Sequence, residues 1–147
     1  QEEEEIELKL LSAEISTMLY PSEVEERVRS LLLSLCDCEI REERVSSHYG
    51  YSFKVLTCNL IGERAEELFM KVICSLSELE LFSLLDNIDK YVEGRNLYIR
   101  LSKQDLALGK FKIYGGDPGG YIRIKFSFKS SLEVEEMRKV GESCTQT

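Results

Sequence analysis

The sequence predicts an α+β fold in two layers, a mixed and mostly antiparallel sheet with helices on one face. Three observations predict it. Several segments alternate apolar and polar residues with the period of two that a half-buried strand requires. Three others space apolar residues as one face of an amphipathic helix does. The two kinds come in the order strand, helix, two strands, two helices, three strands, which segregates helices from strands.

At 147 residues and 43% hydrophobic, the chain is sized for a single domain with a proper core. Residues 1–7 read as an acidic, frayed lead-in, residues 8–128 as the core, and residues 129–147 as a final helix and tail.

The first strand spans Leu8–Leu19, with Leu11, Ala13, Ile15, Thr17 and Leu19 in one phase, and Pro21 breaks it. Ser22 followed by Glu25 fits a capping box, and Val24, Val28, Leu31, Leu32 and Leu35 form the stripe of the helix it opens. Cys38–Ser46 alternates as a strand, His48-Tyr49-Gly50 signals a turn, and Phe53–Leu60 is rich in β-formers up to Gly62. Arg64–Leu76 is helical by spacing. Ser77 with Glu80 is a second capping box for a helix running to about Tyr91, closed by Gly94. Strands follow at Asn96–Leu101, Lys110–Tyr114 and Tyr121–Phe128, with a short helical turn over Lys103–Gly109 and a glycine-rich connection over Gly115–Gly120. Ser130 with Glu133 predicts the cap of a last helix to about Val140.

The three final strands sort their side chains by charge. Leu97, Ile99, Leu101, Phe111, Ile113, Ile122, Ile124, Phe126 and Phe128 fall in the inward phase. The outward phase holds Asn96, Tyr98, Arg100, Lys110, Lys112, Tyr114, Tyr121, Arg123, Lys125 and Ser127. From Arg95 to Lys129 there are eight basic residues and two acids (Asp105 and Asp117), a balance of +6. The whole chain carries −8, so the remainder carries −14. Like charges side by side on a sheet repel, so a sheet selected for stability alone would interleave the plentiful Glu. An acidic chain with one basic face suits a selective, salt-sensitive contact, because screening confines surface charge effects to about 10 Å.

Other classes of function find little support. No apolar run approaches the roughly 20 residues of a membrane-spanning helix. The acidic start, Gln1 then Glu2–Glu5, is the opposite of a secretory leader, so a cytoplasmic location is expected. Five scattered cysteines and one histidine do not make a zinc ligand set, so no cofactor or metal is expected and the thiols are expected to be reduced. No phosphate-cradling loop or nucleophile–base pair is visible, and an enzyme is not expected.

Specific words in the sequence then matter. Ser47-His48-Tyr49-Gly50, the run from Gly94-Arg95-Asn96-Leu97-Tyr98-Ile99-Arg100 through Lys103-Gln104 to Leu108-Gly109-Lys110, and Ile122-Arg123-Ile124-Lys125 resemble, in order and spacing, an archaeal family of small predicted RNA-binding proteins often described as predicted exosome subunits. The chain departs from that pattern at Tyr51, at Pro21-Ser22-Glu23 and at Ser102. The resemblance implies a fold similar to the ribosomal protein that holds 5S ribosomal RNA in the large subunit. It also implies structured or ribosomal-type RNA as partner, with RNA-processing proteins beside it.

The expected RNA-binding residues are Arg95, Arg100, Lys103, Lys110, Lys112, Arg123 and Lys125 on phosphates, Tyr98, Tyr114 and Tyr121 on bases, and His48 and Tyr49 as a second contact. The alternative is a protein-interaction module or homodimer whose basic face docks an acidic partner, such as another copy's Glu-rich N-terminus.

Overall fold

A computed structural model describes residues 10–46, 48–50, 52–131 and 134–144. Its elements are β1 (Leu10–Leu19), α1 (Glu25–Leu35), β2 (Arg41–Ser46), β3 (Ser52–Ile61), α2 (Glu63–Ser75), α3 (Glu78–Asp86), a 3₁₀ turn (Ile88–Lys90), β4 (Val92–Glu93), β5 (Asn96–Ser102), α4 (Lys103–Ala107), β6 (Tyr121–Phe128) and α5 (Val134–Ser143). The strands form one sheet in the order β2-β3-β1-β6-β5-β4, every neighbouring pair antiparallel. The two-layer α+β reading holds.

Alternation sets the layers. Ala13, Ile15, Leu56, Cys58, Leu97, Ile99, Leu101, Ile122, Ile124 and Phe126 point to one side and are essentially inaccessible to solvent. α1 covers this face with Val28, Leu32 and Leu35, and α2 with Ala65, Leu68, Phe69, Val72 and Ile73. Phe69 meets Phe126 and Phe128 edge-on, with ring centroids 5.1 and 5.6 Å apart, the geometry aromatic quadrupoles prefer. α5 packs on α2 and α3. Gly141 permits that approach, since a Cβ there would lie 2.9 Å from Leu81 Cδ2. No described helix packs on the opposite face.

Local expectations fail where longer-range partners win. Ser22 does not cap α1. Val24 occupies the cap position without a side-chain bond, and Glu23 Oε1 instead accepts from the Tyr20 N–H at 3.1 Å. The second capping box forms by half. Ser77 Oγ accepts from the Glu80 N–H (3.1 Å), but the Glu80 carboxylate accepts from the Ile113 N–H (3.3 Å) and so tethers the last layer to α3. α3 stops at Asp86, and the rest of the expected helix becomes the 3₁₀ turn and β4, which returns on β5 through Gly94 in the left-handed region at φ 62°. The Ser130–Glu133 cap involves Glu133, which lies outside the described residues.

Lys110–Tyr114 is not a full strand. Phe111 bridges Leu76 in the helical layer while Ile113 bridges Leu101. Only its end follows β5, through Tyr114 N–H to Arg100 O at 2.8 Å and Ser102 N–H to Lys112 O at 2.9 Å.

The cysteines also differ from expectation. Cys38 is bonded to Cys58 and Cys74 to Cys144, their Cα atoms 6.1 and 5.2 Å apart, and Cys36 is free. The first bond ties the approach to β2 onto β3. The second pins the end of α5 to α2.

At the two margins of the sheet, β2 is six residues long with exposed Arg41, Glu42, Glu43 and Arg44, and β4 is two residues long.

Candidate functional site

β6 and β5, with β4 beyond them, carry one half of the uncovered face. Their register sets Tyr98 opposite Lys125 and Arg100 opposite Arg123, while Asn96 lies opposite Ser127 and accepts its hydroxyl proton at 2.8 Å. Two arginines therefore occupy opposed positions on one strand pair, an arrangement of like charges that disfavours folding. Aromatic rings partly offset it. Arg100 lies 5.0 Å from the centroid of the Tyr121 ring and Arg123 lies 5.6 Å from that of Tyr98, distances at which a cation is drawn to a ring face. Tyr121 in turn contacts Tyr114, centroids 5.0 Å apart.

Only one carboxylate enters this cluster among the described ion pairs. Glu14 on β1 accepts from Arg123 Nη2 at 3.3 Å. Both side chains are more than a third exposed, so the pair is worth little. Arg123 Nε is shielded from solvent without an acceptor, which costs roughly 1–3 kcal/mol. A surface shaped only by stability would remove this cost.

The sequence-derived residues do not all gather here. Tyr98, Arg100, Tyr114, Tyr121, Arg123 and Lys125 do. Arg95 sits exposed at the β4–β5 turn and donates to Lys129 O at 3.3 Å. Lys110 and Lys112 line a separate hollow at the sheet margin, with Ser75, Ser77 and Glu80 at the start of α3. His48 and Tyr49 are exposed at the β2–β3 turn, three strands from β6 in the sheet order.

Lys103 is a correction. It is only 5% exposed, and its Nζ donates to Met18 O at 2.7 Å and to both Glu23 carboxylate oxygens at 3.0 Å. Its charge is spent inside the protein, holding α4 to the end of β1 and the lead-in to α1. Ser102 beside it is also buried, donating to Asp117 Oδ2 at 2.8 Å and accepting from the Asp105 N–H.

One contributor has no distinct marker in the sequence. Tyr91, expected at a helix end, instead pairs its carbonyl with the Tyr98 N–H at 2.8 Å and lines a hollow of about 510 Å³ with Tyr98, Arg100, Tyr114 and Arg123. The one available signal is its spacing from Gly94, which fits a tight hairpin.

The arrangement offers cations and rings but no evident nucleophile. Burial pushes the Cys36 thiol above its ordinary pKa, partly opposed by Arg64 and Lys71. Among the described residues no cluster of His, Cys, Asp or Glu is arranged to hold a metal, and no helix is long and apolar enough to cross a membrane.

Comparison with known proteins gives one family and several related folds. A family model described as RNA binding matches residues 12–128. A DUF54 protein of Sulfolobus solfataricus superposes with a TM-score of 0.77 at 22% identity, over 90% of this chain and 98% of that one. A DUF54 protein from Methanothermobacter thermautotrophicus gives 0.71 at 24% identity, over 89% and 97%. A UPF0201 protein from Methanococcus jannaschii gives 0.62 at 16%, over 89% and 99%. No curated protein matches the chain.

Proposed function

The chain belongs to this RNA-binding family of small archaeal proteins, and on that premise we propose that it is a non-catalytic RNA-binding protein working through the uncovered face of β5 and β6. The observation that carries the reading is the opposed pair Arg100 and Arg123, set among Tyr98, Tyr114 and Tyr121 with Lys125 beside them. Phosphate oxygens between the guanidiniums would offset their mutual repulsion and make charge-assisted, bidentate bonds. The tyrosine rings supply stacking surface for bases, a contact typically worth about 1–3 kcal/mol per base.

Arg95, Lys110 and Lys112 flank this centre and extend the phosphate track along the sheet margin. His48 and Tyr49 form a second contact at the far turn. Lys103 does not take part.

The biological setting we infer is that of an accessory to RNA processing or degradation, the exosome included, in a cytoplasm. Two disulfides fit such a compartment where the host is a hyperthermophilic archaeon, whose intracellular proteins are often rich in them. Structured RNA of the ribosomal kind is the partner we infer, from the sequence resemblance to a family expected to share the fold of the 5S-binding protein.

Combined replacement of Arg100, Arg123 and Lys125 by Gln tests the face. RNA affinity at low salt should fall, and the slope of log affinity against log salt should shrink by about 0.7–0.9 for each phosphate the variant no longer neutralises. Unchanged affinity and slope in a folded variant would remove this face from the function.

The alternative, a docking surface for an acidic protein or a second copy, draws on Leu11 and Ile61. These are 48% and 76% exposed and adjoin through the Gly62 N–H to Leu11 O bond. Tighter binding of a Glu-rich peptide than of RNA would favour it.

A further inference from the structure

We propose that the hollow beside β5 receives one unpaired nucleotide, so that this face takes RNA where a base is free, in a single strand or in the loop of a folded molecule. The proposal rests on the RNA-binding reading and adds the form of the ligand. The outer edge of β5 is covered in two pieces. Tyr91, just before β4, bonds Tyr98, while Tyr114 bonds Arg100 from a different stretch of chain. The hollow opens where the two pieces meet. Its volume of about 510 Å³ lies within the range of small-ligand sites, roughly 300–1,000 Å³.

Its walls carry what one nucleotide needs. Tyr91, Tyr98 and Tyr114 line it together with Arg100 and Arg123, and Glu93 adds a carboxylate to the lining. Arg123 engages Tyr98 and Tyr121 contacts Tyr114, so a base entering the hollow would meet Tyr91 and the remaining face of Tyr114. A phosphate fits against the two opposed guanidiniums, and Glu93 can accept from a base amino group or the ribose 2′-hydroxyl. A nucleotide inside a duplex can offer its phosphate and 2′-hydroxyl but not its base, whose faces are covered by neighbours and whose pairing edge is used. A continuous A-form helix presents backbone and a shallow groove, which a concave site lined by three tyrosines does not match.

The full chain, assayed by fluorescence anisotropy at one fixed salt concentration, tests the proposal with three RNAs: a single strand of about ten nucleotides, a hairpin with an unpaired loop, and a blunt duplex. The single strand and the hairpin should each bind about tenfold tighter than the duplex, and the ratio between those two arms shows which form is preferred. Tyr91→Ala and Tyr114→Ala should each weaken single-strand binding about tenfold and weaken duplex binding by clearly less, so that the preference for the single strand shrinks.

Because Tyr91 also packs against the core, a measurement on the unaltered protein stands beside these variants. Titration with a nucleoside 5′-monophosphate should shift the amide and ring NMR signals of Tyr91, Tyr98, Arg100 and Tyr114. Equal affinity for all three RNAs, or shifts confined to other residues, overturns the nucleotide site while the basic face stands. Failure of every RNA to bind overturns both.

Discussion

Replacing Lys103 by methionine separates an internal clamp from a nucleic-acid contact. The ammonium makes three hydrogen bonds, one to a main-chain carbonyl and two to Glu23, and the side chains of the pair are 6% and 23% exposed. Breaking a buried pair by removing one partner typically costs about 3–5 kcal/mol. Glu23 keeps some contact with water, so part of its charge is rehydrated and the expected loss is about 2–4 kcal/mol. Methionine preserves the packing of the lysine stem, which keeps the loss electrostatic.

For a domain of this size each kcal/mol moves the melting temperature by about 2–4 °C, so thermal unfolding followed by circular dichroism should show a fall of roughly 5–15 °C. Glu23→Gln, which leaves the more deeply buried ammonium without its counter-charge, should show a fall at least as large, and the double variant less than the sum of the two. RNA affinity and its salt slope, measured well below the transition, should match the unaltered protein. An unchanged melting temperature together with a salt slope smaller by one phosphate would refute the clamp and restore Lys103 to the binding face.

Phe69→Ala should cost about 3–5 kcal/mol in denaturant titration, because its ring joins α2 to both Phe126 and Phe128 and no neighbour can fill the space. Hydrogen bonds from Lys54 and then Arg29 hold the Glu25 carboxyl below its ordinary pKa of 4.5. A lowered folded pKa adds stability that is full above 4.5 and is lost as the pH falls through the folded value, so Glu25→Gln should flatten the acid limb of a stability–pH profile. Alkylation of the unfolded, unreduced protein should label Cys36 alone, and reduction should expose all five thiols. Cys74→Ser should lower stability by up to about 4 kcal/mol, since the bond spans 70 positions of the chain. An equal melting temperature with and without reductant would contradict that.

The sequence exposes periodic features and hides those made by distant partners. In Tyr121–Phe128 every second residue is buried, as alternation requires, because a strand between two neighbours has no other way to present an apolar face. The opposition of Arg100 and Arg123 is one step further away. Each strand announces its basic phase, but register decides which residues meet. Lys103 reads as an outward cation because its partner Glu23 lies 80 positions earlier, and no local spacing marks a lysine that turns inward. The disulfides are hidden for the same reason, joining cysteines 20 and 70 positions apart. Tyr91 reads as helical because the apolar spacing continues through Ile88, whereas the chain turns at Asn87 and Gly94 takes the conformation that lets it fold back on β5. Lys110–Tyr114 carries the right alternation, but its bonds are shared between two layers and only its end belongs with the sheet.

How the sheet is finished at its sides has a consequence for assembly. Along β2, the run Arg41-Glu42-Glu43-Arg44 would set like charges opposite one another on an identical strand laid antiparallel about its centre, and hydrated charge resists desolvation there. Along β5 the two successive cover pieces, one on Asn96–Tyr98 and one on Arg100–Ser102, leave too little bare main chain for a visiting peptide to zip on. Growth by strand addition is thus discouraged at both borders, and any larger complex has to be built flat against a broad surface of the molecule.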